Sequence, residues 1–449
     1  VIKESKNFIF CSYTKAAAEE GLKRLGKQSG RPARTIHSLA YEHVGVDKGQ
    51  VVTTQKLREL SAMTGYVISG GAMDSLSSES EVGDDMLAVI NYADARMMAY
   101  DDGYVLLKPY SFGPYEFRMF HKAYTSWKNK WGYIDFNDML KRYIDAKPIE
   151  IDVLFVDEAQ DLSPLQWACI RNIKAKEIYI AGDDDQSIHS WAGSDPHGMG
   201  KFMDHHKATD ITVLGQSYRL PKTVFNTANT VLNRIKVRHH KTFAPREEEG
   251  EVIRFNGMGW LDKWMHRENS VLMLYRNHSV RDQLEEYLIE RAMPYTSPYI
   301  GPGKSSFYES QFIKAARAFI KLKNGEALKK NEIRYLRKHV DKVYLNGEGF
   351  NIDKIRRTDW RQAIHMPWNH LNYINKLKNI NAEVKIKLCT IHAAKGAEAD
   401  QVVLLTSMGT RTWENMSTDM DAELRVWYVG VTRAIKSLAL IDIGLGMEI

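Results

Sequence analysis

Six short runs of apolar, strand-favouring residues punctuate the chain: Phe8-Ile-Phe-Cys11, Val153-Leu-Phe-Val156, Ile178-Tyr-Ile-Ala181, Val271-Leu-Met-Leu274, Val402-Val-Leu-Leu405 and Leu438-Ala-Leu-Ile441. None alternates with polar residues, so each predicts a strand buried on both faces, as in parallel sheets covered by helices. The runs form two groups, before about residue 215 and after about 250, which predicts two α/β domains. Helical stretches separate them, with insertions expected near 45–130 and 305–383. No repeat with a period of roughly 20–50 residues is visible, and no Pro- or Gly/Ser-rich linker.

Composition narrows the class. At roughly 100–200 residues per domain, 449 residues predict several domains rather than one binding module. A content of 44% hydrophobic and 26% charged residues excludes a mostly disordered chain. No apolar run approaches the ~20 residues of a membrane span, and no secretory signal is visible at Val1–Asn7, so no membrane partner is expected and a cytosolic protein is the default. Cys11, Cys169 and Cys389 lack metal or CxxC spacing and read as buried thiols.

Net charge is only +6, but its distribution is uneven. Residues 311–361 hold 14 Lys/Arg against 6 Asp/Glu, whereas residues 74–102 hold 8 acids against one Arg. The acidic stretch, with its Ser-rich part from Ser75 to Asp85, is expected to be a hydrated surface.

The chemistry is concentrated after two of the apolar runs. Val153-Leu-Phe-Val-Asp-Glu-Ala-Gln-Asp161 delivers acids at the carboxyl end of a buried strand, where open α/β sheets place their ligand sites. Asp157 could hold Mg²⁺, and Glu158 could orient or deprotonate an attacking water. The next run ends in Gly182-Asp-Asp-Asp-Gln-Ser-Ile-His-Ser-Trp191, which adds a glutamine able to sense a nucleotide and an aromatic able to stack on a base.

These segments resemble motifs II and III of the UvrD/Rep/PcrA-like superfamily 1 DNA helicases. Further motifs follow in the family's order. Ser12–Glu20 resembles motif Ia, Thr35-Ile-His-Ser-Leu39 motif Ib, and Leu214-Gly-Gln-Ser-Tyr-Arg219 motif IV. Leu274-Tyr-Arg276 is similar to motif IVa, Thr390–Glu398 to motif V, and Tyr428-Val-Gly-Val-Thr-Arg-Ala434 to motif VI.

The resemblance implies a P-loop NTPase fold: two RecA-like domains with helical insertions. The first would comprise 1–44 and 131–213 with an insertion at 45–130. The second would comprise 214–309 and 384–449 with a reduced insertion at 310–383. ATP and Mg²⁺ are the implied cofactors, single-stranded DNA and duplex junctions the implied partners. Asp157, Glu158, Gln186, Arg219 and Arg433 would be catalytic, with Asp157 on the metal. Tyr218 would stack on adenine; Gly396 and Glu398 would lie near the nucleotide, with Arg219 and Arg433 at its phosphates. Tyr13, His37, Trp191, Arg276 and His392 would contact DNA, with Lys15 and Lys395 as further candidates. The implied activity is ATP-driven translocation along single-stranded DNA, 3′ to 5′, in the cytoplasm of a bacterium or a virus-infected cell.

One family element is missing from the sequence. The Walker A loop, GxxxxGK[ST], should precede motif Ia, because its N–H groups cradle the phosphates. Gly301-Pro-Gly-Lys-Ser-Ser306 contains Gly-Lys-Ser, but Pro298 stands where the first glycine is required. The chain therefore reads as a fragment, half of a split gene or part of an intein-interrupted protein. Alternatives are a DNA-binding chain without ATP turnover, a split enzyme needing a separate P-loop-bearing segment, and an interaction protein on a degenerate helicase scaffold.

Overall fold

Apolar runs that are too short and too continuous for helices become the centres of two parallel sheets. The computed structural model describes residues 7–13, 15–25, 33–69, 81–208, 210–265, 269–297, 306–377, 379–416, 419–444 and 446–449. The chain divides into two compact units: one of Val1–Val213 and Val237–His240, the other of Leu214–Lys236 and Lys241–Ile449.

In the first unit, β1 (Phe8–Ser12), β2 (Ala33–Thr35), β3 (Ile149–Asp157) and β4 (Ile173–Ile180) form a parallel sheet in the order β2-β1-β3-β4. Its core includes Cys11, Leu154, Val156, Trp167 and Tyr143. Ser12 pairs in register with both Thr35 and Asp157, so three strands end level at the edge where motifs Ia, Ib and II begin. The expected burial on both faces holds for β3 but not for β4. Among the described strands β4 is an edge strand, and Tyr179 lies open beside Phe155, with ring centroids 5.1 Å apart.

Helices Thr54–Thr64, Val82–Arg96, Tyr100–Leu107 and Pro114–Trp131 enclose a core of their own around Leu60, Val89, Phe117, Phe120 and Trp127. The acidic stretch is therefore not simply a hydrated face. Asp84, Asp85 and Asp94 are buried on the second of these helices. Asp84 accepts from Ser69, Asp85 from the Ser111 hydroxyl, and Asp94 from Tyr100 and Lys141. Buried carboxylates persist when hydrogen-bonded in this way. Residues 70–80 lie outside the described residues.

The second unit holds β5 (Glu251–Asn256), β6 (Val271–Tyr275), β7 (Tyr295–Thr296), a hairpin of β8 (Leu345–Asn346) with β9 (Gly349–Phe350), β10 (Ile386–Thr390), β11 (Ala399–Leu405) and β12 (Ala434–Asp442). Six of these make a parallel sheet in the order β5-β12-β11-β6-β10-β7. Met273, Leu388, Val403 and Ala439 fill its core. Helices Gln311–Lys323, Lys330–His339 and Trp368–Lys376 surround a separate core containing Phe319, Leu336, Ile355 and Tyr373.

All three cysteines are free and buried, and burial pushes each thiol up to about 12. No described helix is long and apolar enough to cross a membrane.

Gly198 opens the helix Gly198–His206 with its backbone against the indole of Trp167; a Cβ there would lie 2.2 Å from Nε1. Gly198→Ala is expected to destabilise the first unit by ~1–3 kcal/mol through overpacking, read as a lower urea midpoint.

Candidate functional site

The first unit gathers its chemistry at the level carboxyl edge of β1, β2 and β3. Asp157 is the last residue of β3, and Glu158 follows in a left-handed conformation with φ of 54°. This sharp turn sends the chain into the short helix Ala159–Asp161, with Gln160 buried. Gln160 Nε2 donates to Glu158 at 2.6 Å, and its Oε1 accepts the Asp183 N–H at 3.0 Å. Its carbonyl also accepts from Ser187 Oγ. One side chain thus fastens motif II to motif III. Gly182 permits the approach, since a Cβ there would meet Gln160 Oε1 and Met199 Sδ at 2.7 Å.

Burial and the adjoining Glu158 charge raise Asp157 above the usual carboxylate range. A nearby dication would relieve that repulsion, so the donor set suits Mg²⁺. Motif III forms a short helix, Asp184–Gln186, in which Gln186 donates to Asp183 Oδ2 at 2.7 Å. Asp183, Asp184 and Asp185 lie close enough to suggest a second cation site. Their carboxylates already have partners: Asp183 accepts from Gln186 and Asp185, Asp184 from the His239 N–H, and Asp185 from Arg238.

Three residues past Gln186 an aromatic stack begins. Tyr13 stacks on His189 with centroids 5.3 Å apart, and His189 meets the edge of Trp191 at 6.0 Å. Tyr13 and His37 line a cavity of about 330 Å³ together with Asp161 and Ala192. Burial lowers His37 to about 4, so its ring is neutral at pH 7 and is available as a neutral hydrogen-bonding group.

Phe136, which the motif reading passed over, packs edge-on against His37 at 5.8 Å while remaining exposed. It opens the helix Phe136–Asp145 behind the cap Asp135. Burial opposes ionisation of Asp135, yet Lys128, bonded at 2.5 Å, holds its carboxyl below the usual range. Tyr124 donates to the same carboxylate. The signal available in the sequence was an apolar residue directly after an N-cap aspartate, at a position where a solvent-facing side chain is expected.

In the second unit Tyr218 is exposed, and the neighbouring Arg219 pairs with Glu398 at 3.7 Å. Gly396 has a φ of 80°. Arg433 is buried: it donates to Val429 O at 2.8 Å, Ala397 O at 3.4 Å and Thr432 Oγ1 at 3.0 Å. Motifs IV, V and VI therefore meet around residues 396–398. Arg276 follows directly on β6. Its fork is taken by buried Glu423, at 2.8 and 2.9 Å, because a buried carboxylate demands a bidentate partner. His392, half-buried, sits in the turn after β10, where Ala393 N–H donates to Thr390 Oγ1. The side chain of Lys15 and the Gly301–Ser305 loop lie outside the described residues.

Residues 2–207 match the family model of the UvrD/REP helicase N-terminal domain, and residues 352–443 match that of the UvrD-like helicase C-terminal domain. The chain belongs to the UvrD/Rep helicase family. Among curated UvrD-like relatives, DNA helicase II of Haemophilus influenzae is 28% identical over 231 residues, covering 46% of this chain and 31% of that protein. ATP-dependent DNA helicase PcrA of Staphylococcus aureus is 26% identical, covering 42% of this chain and 29% of that protein. DNA helicase II of Escherichia coli is 27% identical, covering 45% and 31%. The matches thus span about a third of these relatives' lengths. A solved structure of PRRSV helicase superposes with a TM-score of 0.28 at 12% identity, over 65% of this chain and 35% of that one, too slight a likeness to bear on the fold.

His37 sets the sign of one pH effect. Between about pH 4 and the usual 6.5, the unfolded chain binds a proton there that the folded chain refuses, so stability rises with pH. Asp157 acts oppositely, since the folded state holds its proton more tightly and loses that advantage as pH rises. His37→Gln is expected to flatten the rise of the urea midpoint across that window relative to the parent chain.

Proposed function

We propose that this chain acts as a DNA helicase, a motor that consumes ATP while moving 3′ to 5′ along single-stranded DNA and opens duplex at junctions ahead of it. The observation that carries the proposal is the attachment of Gln160, which ties Glu158 to Asp183 and, through its carbonyl, to Ser187, so that Gln186 lies between two points held from motif II. A residue facing nucleotide and a ring facing DNA are then only a few positions apart on a single pinned loop.

Bound Mg²⁺–ATP supplies the phosphoanhydride whose hydrolysis drives such a motor. Asp157 is assigned to the metal, and Glu158 to orienting the attacking water and taking its proton. Gln186, Arg219 and Arg433 are assigned to the terminal phosphate, Tyr218 to adenine, Glu398 to the ribose and Gly396 to the loop beside it. Arginine suits the phosphate because its planar fork stays charged. Arg433 would exchange its present carbonyl partners for phosphate oxygens, a stronger, charge-assisted bond. Tyr13, His37, Trp191 and His392 are assigned to DNA, with Phe136 added beside His37. Arg276 would reach DNA only by releasing Glu423.

A second reading is a chain that binds DNA without turnover, or a split enzyme that turns over ATP only with a P-loop from another chain.

ATP hydrolysis with and without single-stranded DNA separates these readings, with Glu158→Gln as the control. DNA-stimulated turnover lost in Glu158→Gln supports the motor. DNA binding without turnover, restored by a P-loop-bearing chain, supports the split enzyme. Trp191→Ala is expected to weaken binding of oligo-dT by ~1–3 kcal/mol in fluorescence anisotropy, and unchanged affinity would return Trp191 to packing alone.

A further inference from the structure

Val237–His240 is an unusual segment: four residues that group with the first unit although the chain on either side belongs to the second. Its attachment is specific. Arg238 Nε and Nη2 donate to the two carboxylate oxygens of Asp185 at 2.7 and 2.5 Å. The next residue's N–H donates to Asp184 Oδ2 at 2.7 Å. Asp185 has no solvent exposure and Arg238 is only 16% exposed, so this is a buried, forked ion pair rather than a surface contact.

The position of that pair matters more than its strength. Asp184 and Asp185 are the first two residues of the short helix that ends with Gln186. Gln160 fastens this helix from the motif II side through Asp183 N–H and Ser187 Oγ. The strap fastens it from the opposite direction in sequence, beyond the helix Lys222–Leu232 that follows Tyr218 and Arg219. Asp185 is thus held by a residue that lies 53 positions further along the chain.

We propose that Arg238 is a positioning residue that holds the nucleotide-facing and DNA-facing parts of motif III in one arrangement, a proposal that rests on the helicase reading above. Removing the guanidinium takes the forked, charged partner from a carboxylate with no solvent exposure, which weakens the hold on the helix Asp184–Gln186. Gln186 and the His189–Trp191 end of the loop then lose their fixed placement while their own chemistry is untouched. Lysine keeps the charge but offers a point donor in place of the fork.

The test is thermodynamic linkage, which needs no turnover. Affinity of the whole chain for fluorescein-labelled oligo-dT is measured with and without Mg²⁺ and the imido analogue of ATP. The parent is expected to show a nucleotide-dependent change of about 5–150-fold, the usual span of such coupling. Arg238→Gln is expected to reduce that change to within about twofold, with nucleotide-free affinity within about threefold of the parent; Arg238→Lys should recover part of it.

Asp185→Asn/Arg238→Gln, a neutral pair, serves if the single variant fails to fold. Hydrogen exchange supplies a local readout: faster exchange confined to residues 183–192 is expected in Arg238→Gln. Full coupling retained in Arg238→Gln overturns the proposal, as does exchange that is unchanged or raised throughout β1 to β4. A parent that binds DNA with no nucleotide effect also overturns it while leaving DNA binding standing. A parent that binds no DNA overturns the helicase reading itself.

Discussion

Parallel registry of β1, β2 and β3 is the constraint on which the first unit depends. Ser12, Thr35 and Asp157 end side by side, so three separate sequence segments turn out of the sheet at one height. A one-residue slip of β3 would reverse the faces of Leu154 and Val156 and carry Asp157 away from that edge. The buried core therefore fixes the site's geometry as well as the fold.

The polar groups behind that edge are organised as paired interior charges. Asp94 with Lys141 and Asp185 with Arg238 join residues 47 and 53 positions apart, while Asp135 with Lys128 closes a local span of 7. Such pairs give little net stability, since desolvation offsets much of the attraction, but they penalise every arrangement in which one partner is missing. Their effect is to specify where helices and loops dock. In the second unit Arg276 with Glu423 plays a similar part, holding the end of β6 to the helix Met420–Val431.

Five of the six apolar runs were legible because buried parallel strands are continuous in hydrophobicity; the sixth, in β4, is as apolar although its strand lies half open at an edge. β2, β7 and β10 were not, because they are short or, like Ile386–Thr390, interrupted by a lysine. β5 escaped for another reason: Glu251 and Arg254 break its pattern at an edge. At the site, motif spacing led to Asp157, Glu158, Gln186 and Trp191, whose positions follow from local strand-to-loop geometry. Spacing could not reveal that Arg276 is tied to a glutamate 147 residues away, nor that Arg433 is enclosed by its own backbone neighbours. Those facts depend on long-range packing, as do the buried aspartates of an acidic stretch that composition assigned to solvent.

Glu158 carries one further implication. An L-residue in the left-handed region is strained by roughly 1–3 kcal/mol, and glycine or asparagine would occupy the same turn with less strain. Selection for heat resistance alone would therefore favour replacing this glutamate, and with it a carboxylate that Gln160 holds. The turn is a place where durability and chemistry pull apart, so the identity of residue 158 in any descendant of this chain is a record of which of the two had been selected.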